Sequence, residues 1–141
     1  MAHVKSKLDL IAGVPLFGGC RGRDLQEVGR LADEVDVPAG RVLMREGEAA
    51  HEFVIVIDGT LRVERGGREI ARLEPGQFAG EIGLVDGGPR NATVIAETPA
   101  RLLVLAHREF VSLLDRFPSI QLQVLQAMAH RLRAADPDAI H

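Results

Sequence analysis

The chain has 141 residues, 46% of them hydrophobic, enough for one domain that buries about two thirds of its unfolded surface and too few for a second. Lys and Arg number 17 against 20 Asp and Glu, so a net charge of -3 gives no general attraction for nucleic acid or an anionic membrane. The single cysteine, Cys20, excludes an internal disulfide and a cysteine-rich zinc site, and it fits a reducing cytoplasm, the expected location.

At the N-terminus, Lys5 and Lys7 precede an apolar run from Leu10 to Phe17, and LFGGC has the outline of a lipoprotein cleavage site. Asp9 interrupts the order of charge and then apolar run, Pro15 breaks the run, and Phe17 stands where a small-headed aliphatic is needed. The segment therefore reads as an amphipathic helix from Ser6 to Ala12. No apolar run approaches the roughly 18 residues of a membrane span, and no membrane partner is expected. Leu25, Val28, Leu31 and Ala32 recur at three- and four-residue spacing and predict a second helix, so residues 6–34 are assigned to a helical segment.

From Val35 the pattern changes to short apolar segments between turn residues: EVDVPAG, RVLMREGE, EFVIVIDGTLRVERGGREIARLEPGQ, ATVIAET and ARLLVLA. These predict about eight short strands over residues 35–106, an antiparallel β roll of the jelly-roll type. Asp58-Gly59 is a two-residue hairpin signal, and Gly66-Gly67 and Pro75-Gly76 repeat the punctuation. After Ala106 the helical period returns in REFVSLLDRF; Phe117-Pro118 ends that helix and Ser119 opens a last one to about Ala135, so residues 107–135 form a helical lid. In the last helix Leu122, Leu125, Met128, Ala129 and Leu132 form an apolar stripe, with Gln121, Gln123, Gln126, Arg131 and Arg133 toward the other face. The expected fold is mainly β with flanking helices, a single domain over residues 1–141.

Enzyme signatures are missing: the sequence has no GxxxxGK[ST], GxGxxG, GxSxG or HExxH. The five histidines are scattered and no two stand two apart, as a β-roll metal site would want, so His51 beside Glu52 reads as a surface residue and neither a metal nor a catalytic residue is expected. Ser6, Ser112 and Ser119 have no base that the sequence can name.

One stretch resists a bland reading: GEIGLVDGGPRNATV, Gly80 to Val94. Gly80 lets backbone approach a ligand, and Glu81-Ile82-Gly83-Leu84 can begin a one-turn helix whose free N–H groups suit an oxyanion. Arg90, just past the GGP turn, can fold back over that helix start and grip two phosphate oxygens at once. Glu81 beside a phosphate needs a donor of its own, and a ribose hydroxyl is the natural one on a nucleotide. A surface Glu–Arg ion pair over a glycine-rich loop, worth about 0–1 kcal/mol, accounts for the spacing equally well.

Together with PAGRVLMREGE and FVIVIDGTLRV, the stretch resembles the cyclic nucleotide-binding domain, the family of the catabolite activator protein and the regulatory subunit of cyclic-AMP-dependent protein kinase. The likeness runs from about Leu10 to Leu132, and its most specific part is the phosphate-binding cassette: Gly80, Glu81, Ile82, Gly83, Leu84, then Arg90, Ala92, Thr93 and Val94. The resemblance implies that Glu81 accepts the ribose 2′-OH, that Arg90 pairs with the cyclic phosphate, and that the N–H groups of Ile82, Gly83 and Asn91 add contacts. Gly40, Gly47, Gly59 and Gly76 match strand corners. The implied ligand is cAMP, with cGMP the alternative because Asn91 offers a short polar side chain to a syn guanine. The last helix has no aromatic residue to close over the base, leaving Leu122, Leu125 or Met128, or a second subunit.

The expected protein is thus a non-enzymatic sensor acting on an unidentified effector protein, with a possible homodimer through the last helix. DPDAIH follows that helix where the transcription factors of the family carry a recognition helix, so direct DNA binding is not expected. The alternative is an interaction module that keeps the fold without using the pocket and works through its apolar last helix.

Overall fold

The computed structural model describes residues 6–81, 84 and 87–135. Helix α1 (Lys7–Ala12), a 3-10 turn (Pro15–Phe17) and α2 (Gly22–Leu31) precede the strands β1 (Asp33–Val37), β2 (Val42–Met44), β3 (Glu52–Asp58), β4 (Leu61–Arg65), β5 (Arg68–Leu73), β6 (Phe78–Ala79), β7 (Thr93–Ala96) and β8 (Ala100–Ala106). Helices α3 (His107–Arg116) and α4 (Pro118–Ala135) follow. The start of α1 is a reciprocal cap: Ser6 Oγ accepts from the Asp9 N–H and the Asp9 carboxylate accepts from the Ser6 N–H, each at 3.2 Å.

Two four-stranded antiparallel sheets form the roll, ordered β1-β8-β3-β6 and β2-β7-β4-β5. The central strands β3 and β8 of the first sheet are buried on both faces, while the edge strand β1 is largely exposed. Phe53 and Ile55 of β3 and Leu103 and Leu105 of β8 pack against the helices, whereas Val54, Val56 and Leu102 point into the layer between the sheets. That is why FVIVI and LLVLA are unbroken apolar runs: period-two alternation still operates, but both directions lead to a core. In the second sheet only one face is covered, so Leu61 and Val63 face the inter-sheet layer while Arg62 is ion-paired with Glu64 and Glu97 on the outside.

The expected helix–roll–helix architecture is present, with two local differences. Asp58-Gly59 does not close a hairpin, because β3 and β4 belong to different sheets. It is a corner between them, and Gly59 is required by space as well as by its φ of +90°: a Cβ there would lie 2.5 Å from the Pro99 carbonyl oxygen. Gly66-Gly67, by contrast, turns the true hairpin, with Arg65 paired to Arg68 and φ of +59° and +78° at the two glycines.

The second difference lies in α4, which begins at Pro118 because proline needs no helical partner for its absent N–H in the first turn. Its buried face is Ile120, Val124 and the half-buried Ala127 and Met128, so that of the stripe from Leu122 to Leu132 Met128 alone packs on the core. Leu122, Leu125 and Leu132 are 56%, 58% and 58% exposed. Gly19 sits against the foot of this helix so closely that a Cβ would lie 2.8 Å from that of Ser119.

Candidate functional site

A cavity of about 810 Å³ opens between the second sheet and α4. Its floor is built by the start of the GEIGL segment. Gly80 holds φ at +102°, and a Cβ there would meet the Glu52 carbonyl oxygen at 2.7 Å, Arg90 Nη1 at 2.8 Å and Met44 Cε at 2.9 Å. Glycine is therefore what lets Arg90 close under the loop. Glu81 and Leu84 are helical and buried, with Glu81 wholly out of solvent. Ile82 and Gly83, the other two residues expected in this turn, lie outside the described residues.

Arg90 is 7% exposed. Its Nη1 donates to the Gly80 carbonyl at 3.0 Å and its Nη2 to the Glu52 carbonyl at 2.5 Å, so β3 and the loop before Glu81 orient the guanidinium together. The backbone around it is also tied down, with the Arg90 N–H donating to the Glu48 carbonyl at 2.8 Å and the Arg90 carbonyl accepting from the Gly47 N–H at 2.9 Å. Burial draws the guanidinium's pKa below its ordinary value, and the carboxylates of Glu52 and Glu81 pull it back up. It remains a cation, held at the base of the cavity.

Glu81 does not pair with Arg90 in a surface ion pair. Its Oε1 accepts from Nη1 of Arg131, whose Nη2 donates to the Phe78 carbonyl and whose guanidinium carbon lies 5.2 Å from the centre of the Phe78 ring. Glu81 Oε2 is buried and accepts no hydrogen bond from the described residues. A buried carboxylate oxygen without a donor is costly, and it marks where an incoming hydroxyl or N–H would be stabilised.

The structure gathers most of the expected residues at this cavity. Gly80, Glu81, Arg90, Asn91 and Ala92 line it, as do Leu125 and Met128 of α4; Leu122 does not. Leu84 instead joins the core beneath the helices, and Thr93 uses its Oγ1 to accept from the Glu46 N–H at 3.0 Å, supporting the wall from behind. His51 is exposed, and among the described residues no group of His, Cys, Asp and Glu could hold a metal.

Arg131, which the sequence sets only toward the face opposite the apolar stripe, is a site residue that the sequence did not single out. With Ile120, Val124 and Ala127 it occupies positions spaced by four, three and four, the face that packs on the roll. Reading the helix from Ile120 instead of Leu122 would have brought it inward. A continuous set of contacts then links α3 to the cavity: Phe110 stacks on Phe53 at 4.5 Å, Phe53 lies 5.2 Å from Phe78, and Phe78 supports Arg131 against Glu81.

A family description for the cyclic nucleotide-binding domain matches residues 34–117. A cyclic nucleotide-gated potassium channel of Mesorhizobium japonicum is 38% identical over 111 residues, covering 79% of this chain and 31% of the channel. The cyclic AMP receptor protein of Thermus thermophilus is 30% identical over 129 residues, covering 88% of this chain and 60% of that protein. The crystal structure of the Thermus thermophilus catabolite activator protein superposes with a TM-score of 0.78 at 29% identity, over 89% of this chain and 61% of that one. The chain thus spans between about a third and three fifths of the relatives it matches. With the matched stretch covering more than half its length, the chain belongs to the cyclic nucleotide-binding domain family.

Proposed function

We propose that this chain is a non-enzymatic sensor that binds a cyclic purine nucleotide in the cavity and passes the binding event to α3 and α4. The observation that carries the reading is the buried Glu81 carboxylate, whose Oε2 has no partner among the described residues, together with the buried Arg90 in the cavity floor. Arg90 would meet the cyclic phosphate, with the backbone N–H of Asn91 beside it. Glu81 Oε2 would accept the ribose 2′-OH, and the aliphatic walls would take the base. A Thermus thermophilus relative is named for cyclic AMP, which supports cAMP as the first ligand to test and cGMP as the second. Relatives as different as a channel and a receptor protein point to an effector supplied by other parts of a larger assembly, in the cytoplasm.

Arg131 supplies the transmission. It ties the carboxylate that would read the sugar to the helix that would move, so a ligand that strengthens or weakens this bond changes the position of α4. The required bias is modest: tenfold tighter binding to one helix arrangement shifts the equilibrium by about 1.4 kcal/mol. Titration calorimetry with cAMP and cGMP tests the reading. Saturable heat from either supports it, and no heat from both contradicts it.

A second reading rests on the exposed leucines of α4. Leu122, Leu125 and Leu132, with Ala129 between them, are spaced by three, four and three residues, the seam of a two-helix contact, and would join two copies of the chain. Used alone, this surface makes the chain a nucleotide-independent interaction module. Sedimentation of wild type and Leu125→Glu discriminates: a seam gives a dimer that the charge splits.

A further inference from the structure

Strand β4 directs Leu61, Val63 and Arg65 to one face by simple alternation. Leu61 is fully buried in the inter-sheet core, and Val63 and Arg65 both line the cavity. An arginine at the third inward position breaks the apolar pattern of that face, and such local inconsistencies concentrate at functional positions.

Arg65 is held in place from two sides. Its Nε donates to the Asn91 carbonyl at 3.0 Å, and the next residue, Gly66, donates its N–H to Glu46 Oε1 at 3.0 Å. Among the described residues no carboxylate is in ion-pair range of Arg65, and its terminal amino groups have no acceptor. The other two arginines of the cavity are engaged, Arg131 by Glu81 and the Phe78 carbonyl, Arg90 by the carbonyls of Gly80 and Glu52. Each keeps further N–H groups, those of Arg90 at the buried floor, whereas both terminal amino groups of Arg65 lie at the exposed end of the lining.

The depth of the three groups decides which part of a ligand Arg65 meets. Glu81 and Arg90 are buried at the floor, whereas Arg65 is exposed at the mouth beside Ile70, with Val63, Ala71 and Leu73 also lining the cavity. With sugar and phosphate on the floor and the heterocycle against the aliphatic wall, the outer edge of the base reaches the mouth. A guanidinium only donates hydrogen bonds. Guanine offers it two neighbouring acceptors, N7 and O6, whereas adenine sets an amino donor beside N7.

We propose that Arg65 reads the base edge of the bound nucleotide and favours a 6-oxopurine over a 6-aminopurine, an inference that rests on the cyclic nucleotide reading of the cavity. It acts against the ranking suggested by the relatives and narrows any lead of cAMP over cGMP.

The test is titration of the full chain and of Arg65→Leu with cAMP, cGMP and cyclic IMP, which keeps O6 but lacks the 2-amino group. Arg65→Leu is expected to weaken cGMP and cyclic IMP about tenfold and cAMP by less than about threefold. Arg65→Lys is expected to recover only part of the loss, because an ammonium does not span both acceptors. Thermal melting of both variants confirms that the fold is retained. Equal losses for all three ligands, or no loss for any, overturn the base-edge assignment while leaving the cavity's function standing, as does a loss confined to cGMP, which would locate the contact at the 2-amino group. Failure of the wild type to bind any of the three overturns both readings.

Discussion

The floor and the mouth of the cavity are built on different principles. At the floor each polar group is placed by the scaffold: Gly80 gives the room, the carbonyls of Gly80 and Glu52 aim Arg90, and Arg131 aims Glu81. At the mouth the apolar lining is generic, with Ile70, Leu125 and Leu132 49%, 58% and 58% exposed and no aromatic side chain among them, and Arg65, held on the Asn91 carbonyl, stands beside it. Charged groups bind well only when their orientation is settled in advance, because reorganising a buried ion costs most of what its contacts return. Apolar contacts are non-directional and tolerate a loose wall. On the proposed reading the floor would therefore fix the sugar and phosphate, and the mouth would supply closure and base preference.

The largest expected effect tests how far the floor depends on α4. Arg131→Ala removes the partner of a fully buried carboxylate, and the expected loss is about 3 kcal/mol of folding stability, read from denaturant unfolding. A loss within about 0.5 kcal/mol, the scale of an ordinary surface substitution, would show that Glu81 does not need α4. Next comes Gly80→Ala. Its methyl group would press on the Glu52 carbonyl, Arg90 and Met44, so Arg90 is displaced and nucleotide binding is expected to fall about a hundredfold, or roughly 2.7 kcal/mol. Unchanged affinity would mean that the Arg90 position is immaterial.

Arg90→Lys keeps the charge and removes the planar fork, so binding is expected to weaken about tenfold. A lysine that binds equally well would reduce the floor to a point charge. Leu125→Ala, at the mouth, is expected to cost no more than about threefold in affinity, since a half-exposed side chain contributes only part of its apolar area. A larger loss than that of Arg90→Lys would invert the comparison between the two ends of the cavity.

The difference between floor and mouth also explains which parts were legible in the sequence. GEIGL and RNATV carry much of their geometry in residue types, a glycine that suits a close approach and a carboxylate and guanidinium brought to one floor, so most of the floor could be read from one contiguous stretch. Strand count and the change from helical to strand period were equally readable, because turn glycines and period-two runs are local signals. Arg131 and Arg65 were missed for a common reason. Each is a long cation that residue type assigns to solvent; strand alternation and helical spacing set its direction, but only the packing of distant elements makes that direction lead to a cavity. In α4 the stripe was legible in part, since Leu125, Met128, Ala129 and Leu132 line the cavity, but the core contacts of Ile120, Val124 and Ala127 lie beside it and do not stand out when no partner surface is in view. Asp58-Gly59 has the composition of a hairpin, but whether two consecutive strands share a sheet is decided by the whole roll.

The central claim is that Glu81 reads the sugar hydroxyl, and a four-way comparison tests it most directly: cyclic nucleotide and its 2′-deoxy form, each titrated against wild type and Glu81→Gln. The amide keeps the shape of the side chain and replaces the second carboxylate acceptor by a donor. A direct contact predicts that wild type prefers ribose over deoxyribose by about tenfold or more and that Glu81→Gln loses most of this preference, a coupling on the order of 1 kcal/mol. Additive effects, with the same ribose preference in both proteins, would contradict the account and return Glu81 to a purely structural role.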